Sequence, residues 1–289
     1  MSKGSSDSSK DSNTHSDDHI NSHSQSPNTG NKTNNDSPNT PTKSSHDEAQ
    51  SKQEDSALKF YMTPSHPCSY FDDREAQTIF VDPKRQVNSQ EFLLLTENGF
   101  RRSGNYIYRP NCKNCIACES LRIPVRRFNI TKKYRRIVNK NKDLSSTIKD
   151  NSFNKKHYQL YERYINERHK DGDMYPASEE QYRSFLLAPF NSVRFIEYTL
   201  DDQLVAVSVI DELPMAISAI YTFFEPKLSA RSLGVYVILK QIELCLKKGL
   251  PYLYLGYYIQ NSPKMHYKNQ FKPHQIFQNH QWLDISATD

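Results

Sequence analysis

The densest group of side chains able to do chemistry lies near the C-terminus, where Lys264, Tyr267 and Lys268 follow shortly after Tyr254, Tyr257 and Tyr258. On a helix, Lys264 and Lys268 are four residues apart and share a face. There each slightly lowers the other's pKa, and together they attract a carboxylate or a polynucleotide end. A lysine beside a tyrosine hydroxyl meets a carboxylate through charge-assisted hydrogen bonds, as an arginine fork also does. The plainer reading makes the lysines exposed and the tyrosines sheet packing. The sequence contains no G-x-S-x-G elbow, P-loop or His-Glu-x-x-His motif, which removes those hydrolase and nucleotide-binding classes.

Cys112, Cys115 and Cys118 form a C-x2-C-x2-C run, and Cys68 is the natural fourth thiol. Thiolates at this interval can wrap one ion, so a structural zinc is open, and a remote cysteine beside such a run also suits an iron–sulfur cluster. Equally open are reduced thiols that pack a turn, since five cysteines do not make a disulfide framework. Cys245 falls on the apolar face of a helix and is expected in the core.

From Arg122 to Lys142 nine basic residues occur with no acid among them. A solvated helix face ordinarily mixes signs, so the run, with Arg135 and Arg136 at its centre, is read as a contact that tracks a nucleic-acid backbone. Tyr134 is either a base-stacking ring or an anchor to the body. The first 54 residues hold eight acids against five lysines, which leaves the rest of the chain at net +8 and points to a polyanionic partner. Those 54 residues contain no aromatic residue and almost no aliphatic one, so a disordered polar tail is expected. No segment has the apolar length of a membrane span or the layout of a signal peptide, and a cytoplasmic protein is expected.

The elements that must position these residues can be read from periodicity. Val235, Ile238, Leu239, Ile242, Cys245 and Leu246 predict a helix with one buried face, ended by Gly249 and Pro251. Tyr252–Gly256 reads as a strand, and a short helix is expected from about Pro263 to Asn269. Earlier, Thr78–Val81 and Tyr106–Arg109 read as strands around a helix over Ser89–Asn98, and helices are expected over Asn154–His169 and Glu179–Leu187. Val193–Thr199, Leu204–Ile210 and Ile217–Phe223 are successive strands, the first two joined at Asp201-Asp202. The order gives an α+β fold with a mixed sheet.

Ser-Leu-Gly-Val-Tyr, Tyr-Leu-Gly-Tyr-Tyr-Ile and Lys-Met-His-Tyr-Lys resemble the C-terminal signature of the aminoacyl-tRNA–protein transferases, whose second half is similar to the GNAT acyltransferases. Met62–Tyr70 and Phe100-Arg-Arg-Ser-Gly104 resemble the N-terminal region of the bacterial branch, the aspartate/glutamate leucyltransferases. The resemblance implies a tail over 1–54, a small N-terminal α/β domain with the cysteine cluster over 55–130, and a GNAT-like mixed-sheet acyltransferase domain over 131–289. It also implies transfer of leucine from leucyl-tRNA to an N-terminal Asp or Glu, a step in N-end rule degradation.

In the GNAT half-motif, Arg231 and Gly234 stand where a coenzyme A pyrophosphate would be gripped, and Tyr236 replaces the second small residue. Around the first signature, Arg101, Arg102 and Arg109 are candidates for the acceptor's carboxylate. Tyr257, Lys264, Tyr267 and Lys268 are candidates for the reaction itself. An aminoacyl ester is already activated, and an α-amine has a pKa near 8, so positioning and a polarised carbonyl can supply most of the acceleration with no cofactor. Two other readings stay open: an acetyl-coenzyme A-dependent N-acetyltransferase, and a metal-stabilised tRNA-binding protein without catalysis.

Overall fold

The computed structural model describes residues 57–260, 262 and 265–285. The tail expected over 1–54 and the candidate Lys264 lie outside the described residues. The first elements are β1 (Phe60–Met62), β2 (His66–Pro67), β3 (Glu75–Ala76), β4 (Thr78–Val81), α1 (Ser89–Glu97), β5 (Arg101–Ser103), β6 (Tyr106–Pro110) and β7 (Glu119–Pro124). Then come α2 (Lys132–Lys140), β8 (Ser145–Asp150), α3 (Lys155–Arg168), α4 (Glu179–Leu186), β9 (Val193–Leu200), β10 (Gln203–Leu213) and β11 (Ala216–Phe224). The chain closes with α5 (Leu233–Lys247), β12 (Tyr252–Tyr258), β13 (His274–Gln278) and β14 (Gln281–Ile285).

The main sheet has eight strands in the order β14-β13-β7-β12-β11-β10-β9-β8. All its pairs are antiparallel except β11 with β12, which α5 connects. Asp201 and Asp202 both take positive φ in the β9–β10 hairpin, the geometry of a tight two-residue turn. The sheet is therefore the mixed α+β sheet that the strand order predicts. A four-stranded sheet, β1-β4-β6-β5, stands beside it.

The expected boundary near residue 130 does not separate two cores. β7 pairs with both β12 and β13 inside the main sheet, and the described residues belong to one compact unit. The small core of Phe92, Leu95, Phe100 and Ile107 is closed by Leu213, Ala216 and Tyr254 from the main sheet. Too few apolar side chains precede residue 130 to bury themselves, so the first part borrows a wall. At Gly104, φ is +56° and an added Cβ would stand 2.0 Å from the Ser184 carbonyl oxygen, so only glycine lets this loop lie against α4.

On α5 the buried face runs through Leu233, Tyr236, Val237, Ile238, Leu239, Gln241, Ile242 and Cys245. Leu246, expected on that face, is half exposed instead, because the helix meets the sheet along a stripe rotated toward Val237 and Gln241. Cys245 is fully buried, as expected, with its thiol on the Tyr252 carbonyl.

Candidate active site

β11 and β12 pair only over Ala216–Ser218 and Tyr252–Tyr254, and beyond that the two strands part. The register of β12 against β7 slips between Tyr254 and Gly256, and Gly256 adopts φ +78°. Such a bulge bends the strand and leaves backbone groups unpaired. A cavity of about 740 Å³ opens at the parting, walled by Phe224, Leu233, Ile238 and Leu255 and reached by Tyr267 and Lys268. No Asp or Glu is among its lining residues.

Lys268 is buried, and its Nζ donates to the Tyr257 carbonyl oxygen at 2.6 Å and lies 3.4 Å from Met265 Sδ. Burial, reinforced by the charge of Arg101, pushes its pKa down to about 7. A buried ammonium without a carboxylate is costly, and losing the proton is the cheapest relief. Near neutral pH a good share of Lys268 is thus a free amine inside the cavity. Tyr267 is half exposed beside it. The helix expected over Pro263–Asn269 is a short 3-10 turn, His266–Gln270, within the described residues.

Tyr257 is placed otherwise than the sequence predicts. Its hydroxyl shares its proton between the carbonyls of Gly99 and Tyr108, at 2.9 and 3.1 Å, and burial raises its pKa well above the usual phenol value. The side chain fastens β12 to the first part of the chain, and only its backbone carbonyl reaches the cavity amine.

The three arginines diverge. Arg102 is not a substrate ligand: Nε donates to Asp211 Oδ2 at 2.8 Å, and both side chains are fully inaccessible. The charge around Ser103-Gly104 therefore has a packing reason, an ion pair into β10. Arg101 is also buried, against the rings of Tyr254 and Tyr257, and Nη1 donates to the carbonyls of Thr96 and Phe100. Its Nε and Nη2 have no partner. Arg109 is half buried, with Nη1 on the Asn98 carbonyl at 2.9 Å.

Arg231 is engaged at the surface rather than aimed into the cavity. Its guanidinium holds Asp143 through two bonds of 2.8 and 2.9 Å. Gly234 lines the cavity, and an added Cβ there would make only ordinary contact with Phe224, so no close backbone approach demands glycine. Tyr236 is core, packed on Tyr198.

The basic run splits into three environments. Arg122 is buried between the rings of Tyr252 and Trp282, with Nε on Gln275 and Nη1 on the Tyr254 hydroxyl, so it cannot track a backbone. Tyr134 is the anchor of α2, stacked on Phe271 with its hydroxyl on the Gln270 carbonyl. Arg135 and Arg136 stay exposed on α2. That helix is tied to the edge of the cavity, since Lys140 donates to Ala230 and Asn141 to Arg231 just before α5 begins.

Cys68, Cys112, Cys115 and Cys118 line a second cavity of about 510 Å³. Among the described residues, however, no group of three or more His, Cys, Asp or Glu side chains is placed to hold a metal ion. Cys115 instead accepts from Arg74 at 3.3 Å. The four thiols are nonetheless neighbours: burial, and then the charges of Cys112, Cys68 and Cys115, push the Cys118 thiol up.

Sequence reading missed Gln241, which lines the main cavity from the buried face of α5. A lone amide within an apolar helix face was the available signal.

The candidate site is thus an acid-free cavity that holds a buried amine, with an exposed basic helix tied to its edge. The chain belongs to the arginine-tRNA-protein transferase family: the family's N-terminal part matches residues 66–136 and its C-terminal part residues 156–278. Aspartate/glutamate leucyltransferase of Hahella chejuensis is 47% identical over 228 residues, 79% of this chain and 97% of that protein. The protein of the same name from Saccharophagus degradans is 47% identical over 227 residues, 78% and 96% of the two chains. Among solved structures, L-PGS from Bacillus licheniformis matches with a TM-score of 0.38 at 14% identity, over 70% of this chain and 69% of that one, a likeness too loose to place a site. No helix among the described residues is long and apolar enough to cross a membrane.

Proposed function

We propose that the protein transfers leucine from leucyl-tRNA to the α-amine of proteins that begin with Asp or Glu, creating a destabilising N-terminus. The observation that carries this reading is the cavity: a largely apolar lining with no carboxylate, where Arg168 adds a second cation and Lys268 is the buried amine. A leucyl side chain loses nothing there, whereas an arginyl group would bury a guanidinium without a counter-charge. The printed names of the relatives support the same donor.

The exposed face of α2, with Arg135 and Arg136, receives the phosphates of the tRNA end, so that its 3′ terminus enters between β11 and β12. Lys268, as free amine, takes a proton from the acceptor's α-ammonium. The amine then attacks the ester carbonyl, an amide forms, the ester C–O bond breaks, and the ribose hydroxyl leaves with a proton. Arg101, a buried cation with two free donors and no carboxylate, is the group that an Asp or Glu side chain completes.

The acetyltransferase reading loses its support with Arg231 committed to Asp143. Incubation with an Asp-initiated peptide and either labelled leucyl-tRNA or labelled acetyl-coenzyme A tests the proposal. Label is expected in the peptide with leucyl-tRNA alone, and acetylation without leucylation would refute it.

A further inference from the structure

Gln241 is fully buried on α5, among Val237, Ile238 and Ile242. Its Nε2 donates to Ser208 Oγ at 2.6 Å, and Ser208 in turn receives Thr222 Oγ1 at 3.4 Å, which links α5 to β10 and β11. Gln241 Oε1 has no partner, yet the residue forms part of the cavity wall, as does Thr222. A buried acceptor left unmet is destabilising, and an aliphatic side chain would fill the same space without that cost. The position makes sense if a ligand brings the missing donor.

We infer that Gln241 Oε1 receives the α-amino group of the leucyl moiety, fixing the orientation of the ester while the side chain lies on the apolar wall. This rests on the proposed leucyl-tRNA site. Within the leucyl group the α-amine is the only N–H or O–H donor, since the side chain is hydrocarbon and the ester accepts only. A neutral amide suits it better than an acid. A carboxylate in that wall would bind the ammonium strongly in the ground state and would also admit an arginyl side chain.

The test uses two stable analogues of the aminoacyl terminus. One is adenosine carrying leucine through a 3′-amide, and the other is the same molecule with the α-amine replaced by hydrogen. Calorimetric binding to wild-type protein is expected to favour the amino form by roughly tenfold. The preference is expected to vanish in Gln241→Met and Gln241→Asn, which both withdraw the oxygen, and to persist in Gln241→Glu. A preference that survives in the Met and Asn variants overturns the inference. Equal binding of both analogues by wild type also overturns it while leaving the leucyl site standing, and binding of neither removes both.

Discussion

Arg102 Nε and Asp211 Oδ2 meet at 2.8 Å with no solvent access to either side chain, joining β5 to the C-terminal end of β10. This contact locks the N-terminal part of the chain onto the sheet that carries the cavity. Breaking a buried pair by removing one partner leaves an uncompensated charge, which costs about 3–5 kcal/mol. Arg102→Met is therefore expected to lower stability by that amount in denaturant titration. Arg102→Met with Asp211→Leu is expected to recover most of it. The preference for Asp over Asn peptides is expected to survive in the folded fraction of either variant.

Arg101 is expected to behave in the opposite way. Arg101→Gln removes the cation with free donors, so the acceptor preference collapses: kcat/KM for an Asp peptide falls toward that for the Asn peptide, by roughly tenfold or more. Leucyl-tRNA affinity is expected to change little. An intact Asp preference would transfer acceptor recognition to another group, with Arg109 the next candidate.

Lys268 sets the pH dependence. Its free amine is the working form, so the single-turnover rate is expected to rise as pH increases through about 7, and then again as the acceptor amine deprotonates near 8. Lys268→Met is expected to lose the first inflection and roughly a hundredfold in rate. The folded pKa lies below the ordinary lysine value, so the unfolded chain binds more protons between them. Wild-type stability therefore gains as pH rises from about 7 toward 10, a gain that Lys268→Met, with no ammonium to bury, is expected not to show.

Much of this site was legible in the sequence, and the gaps have physical causes. Apolar periodicity marks α5, which has one buried face, and apolar runs mark the strands from Val193 onward, of which β10 is buried on both faces. β7 carries Arg122 in its centre and hides among basic residues, since the rings of Tyr252 and Trp282 that accommodate it come from far along the chain. Lys268 stood out by spacing, but its burial depends on a bulge at Gly256 that pairing alone creates. The chemistry that marks Tyr257 and Arg231 in the sequence is already used by their partners, Gly99, Tyr108 and Asp143. Those partners are remote in sequence or lie beyond any local pattern.

Arg135 and Arg136 are exposed on α2, with Arg135 Nη2 on the Ile130 carbonyl at 3.1 Å. Changing both to Ala is expected to weaken leucyl-tRNA binding and to reduce the slope of log affinity against log salt by roughly one to two. Peptide KM is expected to hold. Superimposable salt titrations for wild type and variant would reduce this helix to a solvated face.

The central claim is that an acid-free cavity transfers leucine, and the ratio of kcat/KM for leucyl-tRNA to that for arginyl-tRNA, on one Asp-initiated peptide, tests it most directly. A guanidinium buried without a partner predicts a preference for leucine of about a hundredfold or more, and a marked fall in that ratio when Ile238→Glu places a carboxylate in the wall. Equal use of the two donors by the wild-type protein would contradict the account.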